Sequence, residues 1–200
     1  MRKQWFGDSR DYVKWSCVRA EAGREFAVVY GPMLRKDNLS GEKLDSEVVR
    51  FFDDHKDFKA ISVLFPKGFT YLSDVYEVKD SSRYFERLQQ VIADAQERSK
   101  VLVFLDPDTG IEPSSRAGNE HLLKSDIKAV CKHLRAGEKL IVYQHAPRKP
   151  GWQEDWIAKL TPIAMEMRTS LSAPYHEPDA AKDVCFFTFT KEDSHEAALC

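Results

Sequence analysis

Runs of apolar residues alternate along this chain with segments in which apolar side chains recur at helical spacing. The middle runs are apolar throughout rather than alternating, which is typical of strands that are covered on both faces. The predicted strands are Phe26 to Tyr30, Ile61 to Phe65, Val101 to Leu105, Leu140 to Tyr143 and Val184 to Thr190. Strands that alternate with helices indicate βαβ units. We therefore predict an α/β fold with a mostly parallel central sheet.

Helical periodicity marks the segments between these strands. In the clearest one, an apolar face that includes Tyr84, Leu88 and Ile92 lies opposite a charged face. The predicted helices cover residues 10–20, 46–55, 82–98, 125–135 and 152–160. The helix over 125–135 is expected to end at Gly137, because glycine commonly follows a helix terminus.

Composition narrows the class of protein. The 200 residues predict a single domain over 1–200, with the residues after about 192 frayed. The net charge of -2 argues against a strongly basic nucleic-acid binder but allows a local basic patch. No apolar run approaches the ~20 residues of a membrane span, and the first residues lack a signal region.

Cysteine usage indicates a reducing compartment. The four cysteines are scattered, without a pair at metal-ligand spacing, at Cys17, Cys131, Cys185 and Cys200. Cys131 falls on a predicted helix and Cys185 on a predicted strand, so buried free thiols are expected. Together with the absence of a membrane span, this pattern predicts a cytoplasmic protein without a membrane partner.

An acidic turn follows the most apolar strand. The run Val101 to Leu105 continues directly into Asp106, Pro107 and Asp108, and Glu112 follows shortly after. Open α/β sheets place their chemistry at the carboxyl ends of strands. Asp106 should be the best fixed of these acids because it is closest to the strand. The same residue types also form ordinary turns, so a purely structural role remains an alternative.

A second apolar strand also ends in polar groups. Leu140 to Tyr143 is followed by Gln144 and His145, and then by Arg148 and Lys149. If this strand is parallel and adjacent to the first, Gln144 and His145 emerge beside the acidic turn. The two cations would then form a local basic rim that is suited to phosphate groups.

Familiar nucleotide-binding signatures are absent. The chain has no Gly-x-Gly-x-x-Gly and no Walker sequence. The amino-terminal stretch Gly7 to Trp15 instead combines a Gly-Asp turn with a predicted helix. Asp11 and Lys14 lie one turn apart on that helix, and Asp8 can cap it.

Three of these segments resemble a known family, and one of them is the strand Leu140 to Tyr143, which follows a predicted helix and a glycine. Asp106-Pro107-Asp108 after an apolar strand is similar to the Asp-Pro-Pro-aromatic motif of amino-methyltransferases, which act on exocyclic amines of bases. The stretch Gly7 to Trp15 looks like the opening of the J-type ribosomal-RNA adenine methyltransferases, Gly-Asn-x-Ala-Asp-Val-x-Lys-His. The chain departs from these motifs at Asp108, at Thr109 or Gly110 and at Trp15. Where the family has a Gly-rich cofactor loop after its first strand, this chain has a single glycine, Gly31, and no acid.

The resemblance implies a Rossmann-like three-layer sandwich that transfers a methyl group from S-adenosylmethionine to a base amine in nucleic acid. It implies that Asp106 orients the amine and that Pro107 stiffens the turn. The residues assigned to catalysis are Asp106, Pro107 and His145. Those assigned to the cofactor are Asp8, Lys14 and Asp108, and those assigned to the substrate are Arg10, Gln144, Arg148 and Lys149.

Two alternatives remain open from the residues themselves. In a metal-dependent nuclease or phosphoesterase, Asp106, Asp108 and Glu112 would hold Mg²⁺ or Mn²⁺ through oxygen ligands. His145 would then act as the general base, and Arg148 would bind phosphate. In a non-catalytic binding domain of the same fold, the acidic turn would be structural only.

Overall fold

The computed structural model describes residues 9–33, 62–72, 74, 76, 80–113, 121–146 and 150–193. The helices are α1 Ser9–Ala22, α2 Ser81–Gln96, α3 Lys124–His133, α4 Trp152–Met167 and α5 Pro178–Ala181. The strands are β1 Phe26–Pro32, β2 Phe69–Tyr71, β3 Lys100–Asp106, β4 Gly110–Ile111, β5 His121–Leu122, β6 Lys139–His145, β7 Thr169–Leu171 and β8 Val184–Lys191.

Six of these strands form one sheet in the order β2-β1-β3-β6-β8-β7. Strands β2, β1, β3 and β6 are parallel to their neighbours. Strand β8 is antiparallel to both β6 and β7, so β7 points the same way as the parallel strands. The mostly parallel central sheet predicted from the apolar runs is therefore confirmed.

Helices cover the sheet on both faces and complete a three-layer α/β sandwich. One core cluster joins the sheet to α2, α3 and α4, and the other joins its opposite face to α1 and α5. The side chains of Val101 to Leu105 are fully buried between these layers, which explains why β3 is apolar throughout. The fold is the Rossmann-like class that the sequence predicted.

Four predicted helices correspond to helices in the structure. The segments 10–20, 82–98, 125–135 and 152–160 match α1, α2, α3 and α4. Helix α4 continues to Met167 with Pro162 inside it, beyond the predicted end. The predicted helix over 46–55 lies outside the described residues. None of the described helices is long and apolar enough to cross a membrane.

One predicted strand was wrong. Ser62–Leu64 within the run Ile61 to Phe65 forms a 3-10 helix, and the strand β2 begins at Phe69. Val63 is 82% exposed, so this part of the apolar run is not a buried strand. A turn at Gly68, with φ of +123°, separates the 3-10 helix from β2. The short strands β4, β5 and β7 have too few residues to form a recognisable apolar run.

A buried acid stabilises the amino edge of the sheet. The Glu138 carboxylate is 1% exposed and accepts hydrogen bonds from the backbone amides of Val101 and Arg135 at 3.2 and 2.8 Å. It also accepts a hydrogen bond from the Gln96 side-chain amide at 2.5 Å. These donors join the end of α2, the end of α3 and the start of β3.

Candidate active site

The strand order places a topological switch point between β1 and β3. From β1 the chain continues to β2 on one side, whereas β3 and β6 lie on the other side. In open α/β sheets, ligands bind outside the carboxyl ends of the strands at such a point. Asp106 is the last residue of β3 and is paired in register with Pro32 at the end of β1. The acidic turn therefore begins at the switch point.

Asp106 is held by two donors from different elements. The Lys14 ammonium on α1 lies 2.9 Å from its Oδ2, and the Tyr30 hydroxyl on β1 donates to the same oxygen at 2.7 Å. Asp106 is 2% exposed and Lys14 is 4% exposed. Since a buried carboxylate needs a partner, Lys14 compensates for the loss of water around Asp106.

The Asp106 carboxylate has more acceptor capacity than these two donors use. Lys14 and Tyr30 both reach the same oxygen, Oδ2. An ionised carboxylate offers about four lone-pair sites on its two oxygens, so it can accept a further hydrogen bond from a ligand.

Aromatic rings surround this ion pair. The ring of Tyr30 stacks on Phe104 with centroids 5.4 Å apart, and Trp15 meets both rings edge-on. The Lys14 ammonium lies 5.4 Å from the centroid of the Tyr143 ring on β6. The charges are thus enclosed by rings that interact favourably with a cation.

The end of β6 carries a tyrosine–histidine pair. The Tyr143 hydroxyl lies 3.0 Å from Nε2 of His145, and the two rings are perpendicular. His145 is half-buried, and burial lowers the pKa of its imidazole below 6.5, whereas the Asp183 carboxylate opposes that shift. Because β3 and β6 are parallel neighbours, Asp106 and His145 lie at the same edge of the sheet, as the sequence predicted.

Arg10 joins α1 to the start of β8. Its guanidinium donates to both oxygens of the Asp183 carboxylate, and the shortest contact, Nη2 to Oδ2, is 2.6 Å. The hydrogen bond from Arg10 lowers the pKa of Asp183. Arg10 and Lys14 are four residues apart on α1, so both ion pairs hold the same helix face over the carboxyl edge.

Gln144 connects the acidic turn to β6. Its Oε1 accepts a hydrogen bond from the Ile111 amide at 2.7 Å, and its Nε2 donates to the His145 carbonyl at 2.6 Å. Gly110 has φ of +100°, and a Cβ atom there would lie 2.7–2.8 Å from the Gln144 amide. Gln144 is 3% exposed, so its predicted substrate contact would require these backbone hydrogen bonds to open.

The remaining acids do not form a metal site within the described residues. Pro107 is buried, whereas Asp108 is half-buried. Glu112 Oε1 accepts a hydrogen bond from the Lys124 amide at 2.8 Å, at the start of α3. In the part of the chain that the structure describes, no three His, Cys, Asp or Glu side chains are placed to hold a metal ion. The metal-hydrolase hypothesis receives no support.

Three of the predicted site residues, Asp8, Arg148 and Lys149, lie outside the described residues. Sequence reasoning missed Tyr30, Tyr143 and Asp183. The two tyrosines were detectable in principle, because a tyrosine in an otherwise apolar strand usually needs a hydrogen-bond partner when buried. Asp183 gave no such signal, since it lies in a polar segment before β8.

A third buried acid lies beside β5. Asp126 in the first turn of α3 accepts a hydrogen bond from the Leu123 amide at 3.2 Å, and the Tyr76 hydroxyl lies 3.4 Å from the same oxygen. Burial raises the pKa of Asp126 from 3.8 to about 6. This carboxyl group therefore titrates above the usual range of an aspartate.

The three described cysteines are free and buried, as predicted. Burial raises the pKa of Cys17 and of Cys131 to about 12, and it also raises the pKa of Cys185. These thiols remain protonated at neutral pH and are not nucleophiles.

Comparison with known proteins identifies no family. No protein-family model matches the chain, and no curated protein matches it in sequence. Among solved structures, it is similar to a release-factor-specific protein-(glutamine-N5) methyltransferase from Alicyclobacillus acidocaldarius. That similarity has a TM-score of 0.45 and 10% identity over 92% of this chain and 93% of the other.

Two further solved structures show lower TM-scores. An O-methyltransferase family protein from Burkholderia thailandensis has a TM-score of 0.41 and 8% identity over 93% of this chain and 57% of that one. A possible exported protein from Bordetella parapertussis has a TM-score of 0.39 and 10% identity over 90% and 67%. The fold class rests on the strand order and not on these similarities.

Proposed function

We propose that this protein is an S-adenosylmethionine-dependent methyltransferase that acts on a base amine in nucleic acid. The observation that carries the proposal is the fixed carboxylate of Asp106 at the switch point between β1 and β3. Lys14 and Tyr30 hold its Oδ2 from two different elements, and a carboxylate can accept further hydrogen bonds. The motif Asp106-Pro107-Asp108 at the same place resembles that of amino-methyltransferases.

Asp106 would accept a hydrogen bond from the target amine. Methyl transfer to an amine depends chiefly on alignment of the nitrogen with the methyl group, so a rigid acceptor suits the reaction. Lys14 and Tyr30 supply the rigidity, because they hold Oδ2 from two different elements. A base within a duplex would have to leave the helix stack to reach this carboxylate.

The described residues fit the cofactor in part. S-adenosylmethionine, when bound, supplies the methyl group. The half-buried carboxylate of Asp108 at the switch point suits a hydrogen bond from ribose hydroxyls. Lys14 is engaged with Asp106 and is 4% exposed, so it contributes to the pocket by placing Asp106.

A non-catalytic binding domain is the second candidate. The observation that favours it is the burial of Asp106, whose charge Lys14 balances within the protein. In that case the acidic turn would serve only to join β3 to β4. The two candidates differ in whether the domain binds S-adenosylmethionine.

Isothermal titration calorimetry with S-adenosylmethionine and with S-adenosylhomocysteine tests the proposal. We expect saturable binding of both, with a Kd below about 1 mM. Absence of heat with either compound would overturn the methyltransferase assignment and leave the binding domain. A second assay measures tritium transfer from labelled S-adenosylmethionine to single-stranded DNA and RNA oligonucleotides.

Variants at position 106 separate a chemical role from a structural one. We expect Asp106→Asn to keep a part of the transfer activity, because the amide retains an acceptor oxygen, and Asp106→Ala to abolish it. Asp94→Asn on the exposed face of α2 is the matched control. Equal transfer by Asp106→Ala and the wild type would remove Asp106 from the mechanism. Thermal melting of each variant checks that it is folded.

A further inference from the structure

A series of contacts connects the buried Asp106 carboxylate with the half-buried imidazole of His145. Lys14 contacts Asp106 on one side and the Tyr143 ring on the other, and the Tyr143 hydroxyl contacts His145. Tyr143 is 4% exposed, whereas His145 is half-buried. We propose that Tyr143 and His145 form a proton relay, in which the tyrosine hydroxyl passes a proton to Nε2 of His145.

The relay rests on the proposed function and supplies the proton acceptor that methyl transfer requires. As the carbon–nitrogen bond forms and the carbon–sulfur bond breaks, the amine nitrogen becomes cationic and must lose one proton. That proton moves to the Tyr143 oxygen while the hydroxyl proton moves to Nε2 of His145. The half-buried imidazolium then loses its Nε2 proton to solvent, which restores the neutral imidazole with its proton on Nδ1.

The position of Tyr143 supports this role. Leu105 of β3 pairs with Val142 of β6, so Asp106 and Tyr143 follow side by side on adjacent parallel strands. The Lys14 ammonium lies 2.9 Å from Oδ2 of Asp106 and 5.4 Å from the centroid of the Tyr143 ring. A cation at this place stabilises the negative charge that grows on the tyrosine as its proton leaves.

The contacts of His145 indicate which of its two ring nitrogens accepts the proton from Tyr143. Nε2 faces the Tyr143 hydroxyl, and the imidazole also interacts with the backbone of Asp183. This arrangement favours the neutral tautomer that carries its proton on Nδ1 and accepts at Nε2. Because burial lowers the pKa of His145, the imidazole is neutral and ready to accept at neutral pH.

Charged groups from α1, from β3 and from the start of β8 act on this imidazole. Arg10 disfavours the imidazolium, and Asp183 and Asp106 favour it. The titratable and charged groups around the pair are Arg10 and Lys14 from α1, Asp106 from β3, Tyr143 from β6 itself and Asp183 from the start of β8. The acids give the transient imidazolium a counter-charge, so the proton can reside there before it leaves.

Nitrogen-15 NMR of the histidine side chains tests the relay without substrate. We expect the His145 imidazole to carry its proton on Nδ1 and to titrate below 6.5. Tyr143→Phe should raise that midpoint, because the hydroxyl no longer stabilises the neutral ring. Tyr12→Phe, at a position that is 74% exposed, is the matched control and should leave the midpoint unchanged. A proton on Nε2, or an unchanged midpoint in Tyr143→Phe, would overturn the relay.

Transfer assays separate the relay from the proposed function. With tritiated S-adenosylmethionine and oligonucleotides, we expect Tyr143→Phe and His145→Gln to lose at least about tenfold in rate. Their affinity for S-adenosylmethionine should be unchanged, and His133→Gln at an exposed position is the control. Wild-type rates in Tyr143→Phe would overturn the relay while the methyltransferase assignment stands. If the wild type transfers no methyl group, the assignment fails, and the NMR measurement still decides whether the pair is coupled.

Discussion

The Lys14 ammonium lies 2.9 Å from Oδ2 of Asp106, and both side chains are almost fully buried. The two residues are 92 positions apart in the chain, so this contact ties α1 to the end of β3. It also places a compensated charge pair at the switch point, where the candidate site begins. The pair therefore serves both the packing of α1 and the placement of the Asp106 carboxylate.

Lys14→Met should destabilise the protein by about 3–5 kcal/mol, because the Asp106 charge would remain buried without its partner. Urea denaturation of both proteins measures the difference in the free energy of unfolding. Lys128→Met, which breaks an ion pair whose side chains are 34% and 54% exposed, should cost less than about 1 kcal/mol. The double variant Lys14→Met with Asp106→Asn should recover a large part of the loss. If it recovers nothing, the buried charge is not the cause.

Gly110→Ala should destabilise the protein more than Gly23→Ala does. Both glycines have positive φ, so each substitution carries a backbone cost of about 1–2 kcal/mol. A Cβ at position 110 would also collide with the Gln144 amide, whereas nothing lies within 4 Å of one at position 23. The two midpoints in urea provide the comparison, and equal losses would contradict the close contact with Gln144.

Asp126 should make stability depend on pH. Its pKa is raised to about 6 in the folded protein, so its contribution is fully present below the unfolded value of 3.8. That contribution is lost as the pH rises through about 6, because the folded state then buries a charge. After allowance for partial contact with water, we expect a loss of about 1–2 kcal/mol.

The variant Asp126→Asn provides the test, because it has no carboxyl group to titrate. Denaturation curves of both proteins at several pH values should show a smaller loss of stability across this window in the variant. If the free energy of unfolding changes equally with pH in the two proteins, Asp126 does not titrate in this pH range.

Glu138→Gln should weaken the amino edge of the sheet. The carboxylate accepts from three donors, and an amide would direct its own donor at one of them. We expect a loss of about 2–3 kcal/mol in the free energy of unfolding. Glu97→Gln, on an exposed residue of the same region, should change stability by less than about 0.5 kcal/mol. Similar losses in both variants would show that the buried hydrogen bonds contribute little.

The central strands, and the polar residues at their carboxyl ends, could be predicted because each strand is a long apolar run that ends abruptly. Val101 to Leu105 is such a run, and the acid after it lies at the carboxyl edge as expected. The run Ile61 to Phe65 was wrongly predicted to be a strand, because apolar residues beside a turn need not be buried. Short strands such as β7 depend on pairing with β8 rather than on their own sequence, so local patterns do not reveal them.

The partners of the site residues could not be predicted, because they come from distant parts of the chain. Nothing in the sequence near Asp106 indicates that Lys14 and Tyr30 converge on one of its oxygens. Gln144 illustrates the same limit. Its place after an apolar strand predicted a substrate contact, whereas its amide joins two backbone segments within the protein. Periodicity reveals which strand a side chain follows, but not which tertiary contacts it makes.

Strand β8 lies between β6 and β7, although it follows both in the chain. During synthesis on the ribosome, β6 and β7 therefore emerge before the segment that must pair with each of them. Until that segment leaves the exit tunnel, the unpaired edge of the apolar strand β6 can associate with other nascent chains. A premature stop codon before Val184 would leave that edge permanently unpaired and would yield an aggregating fragment.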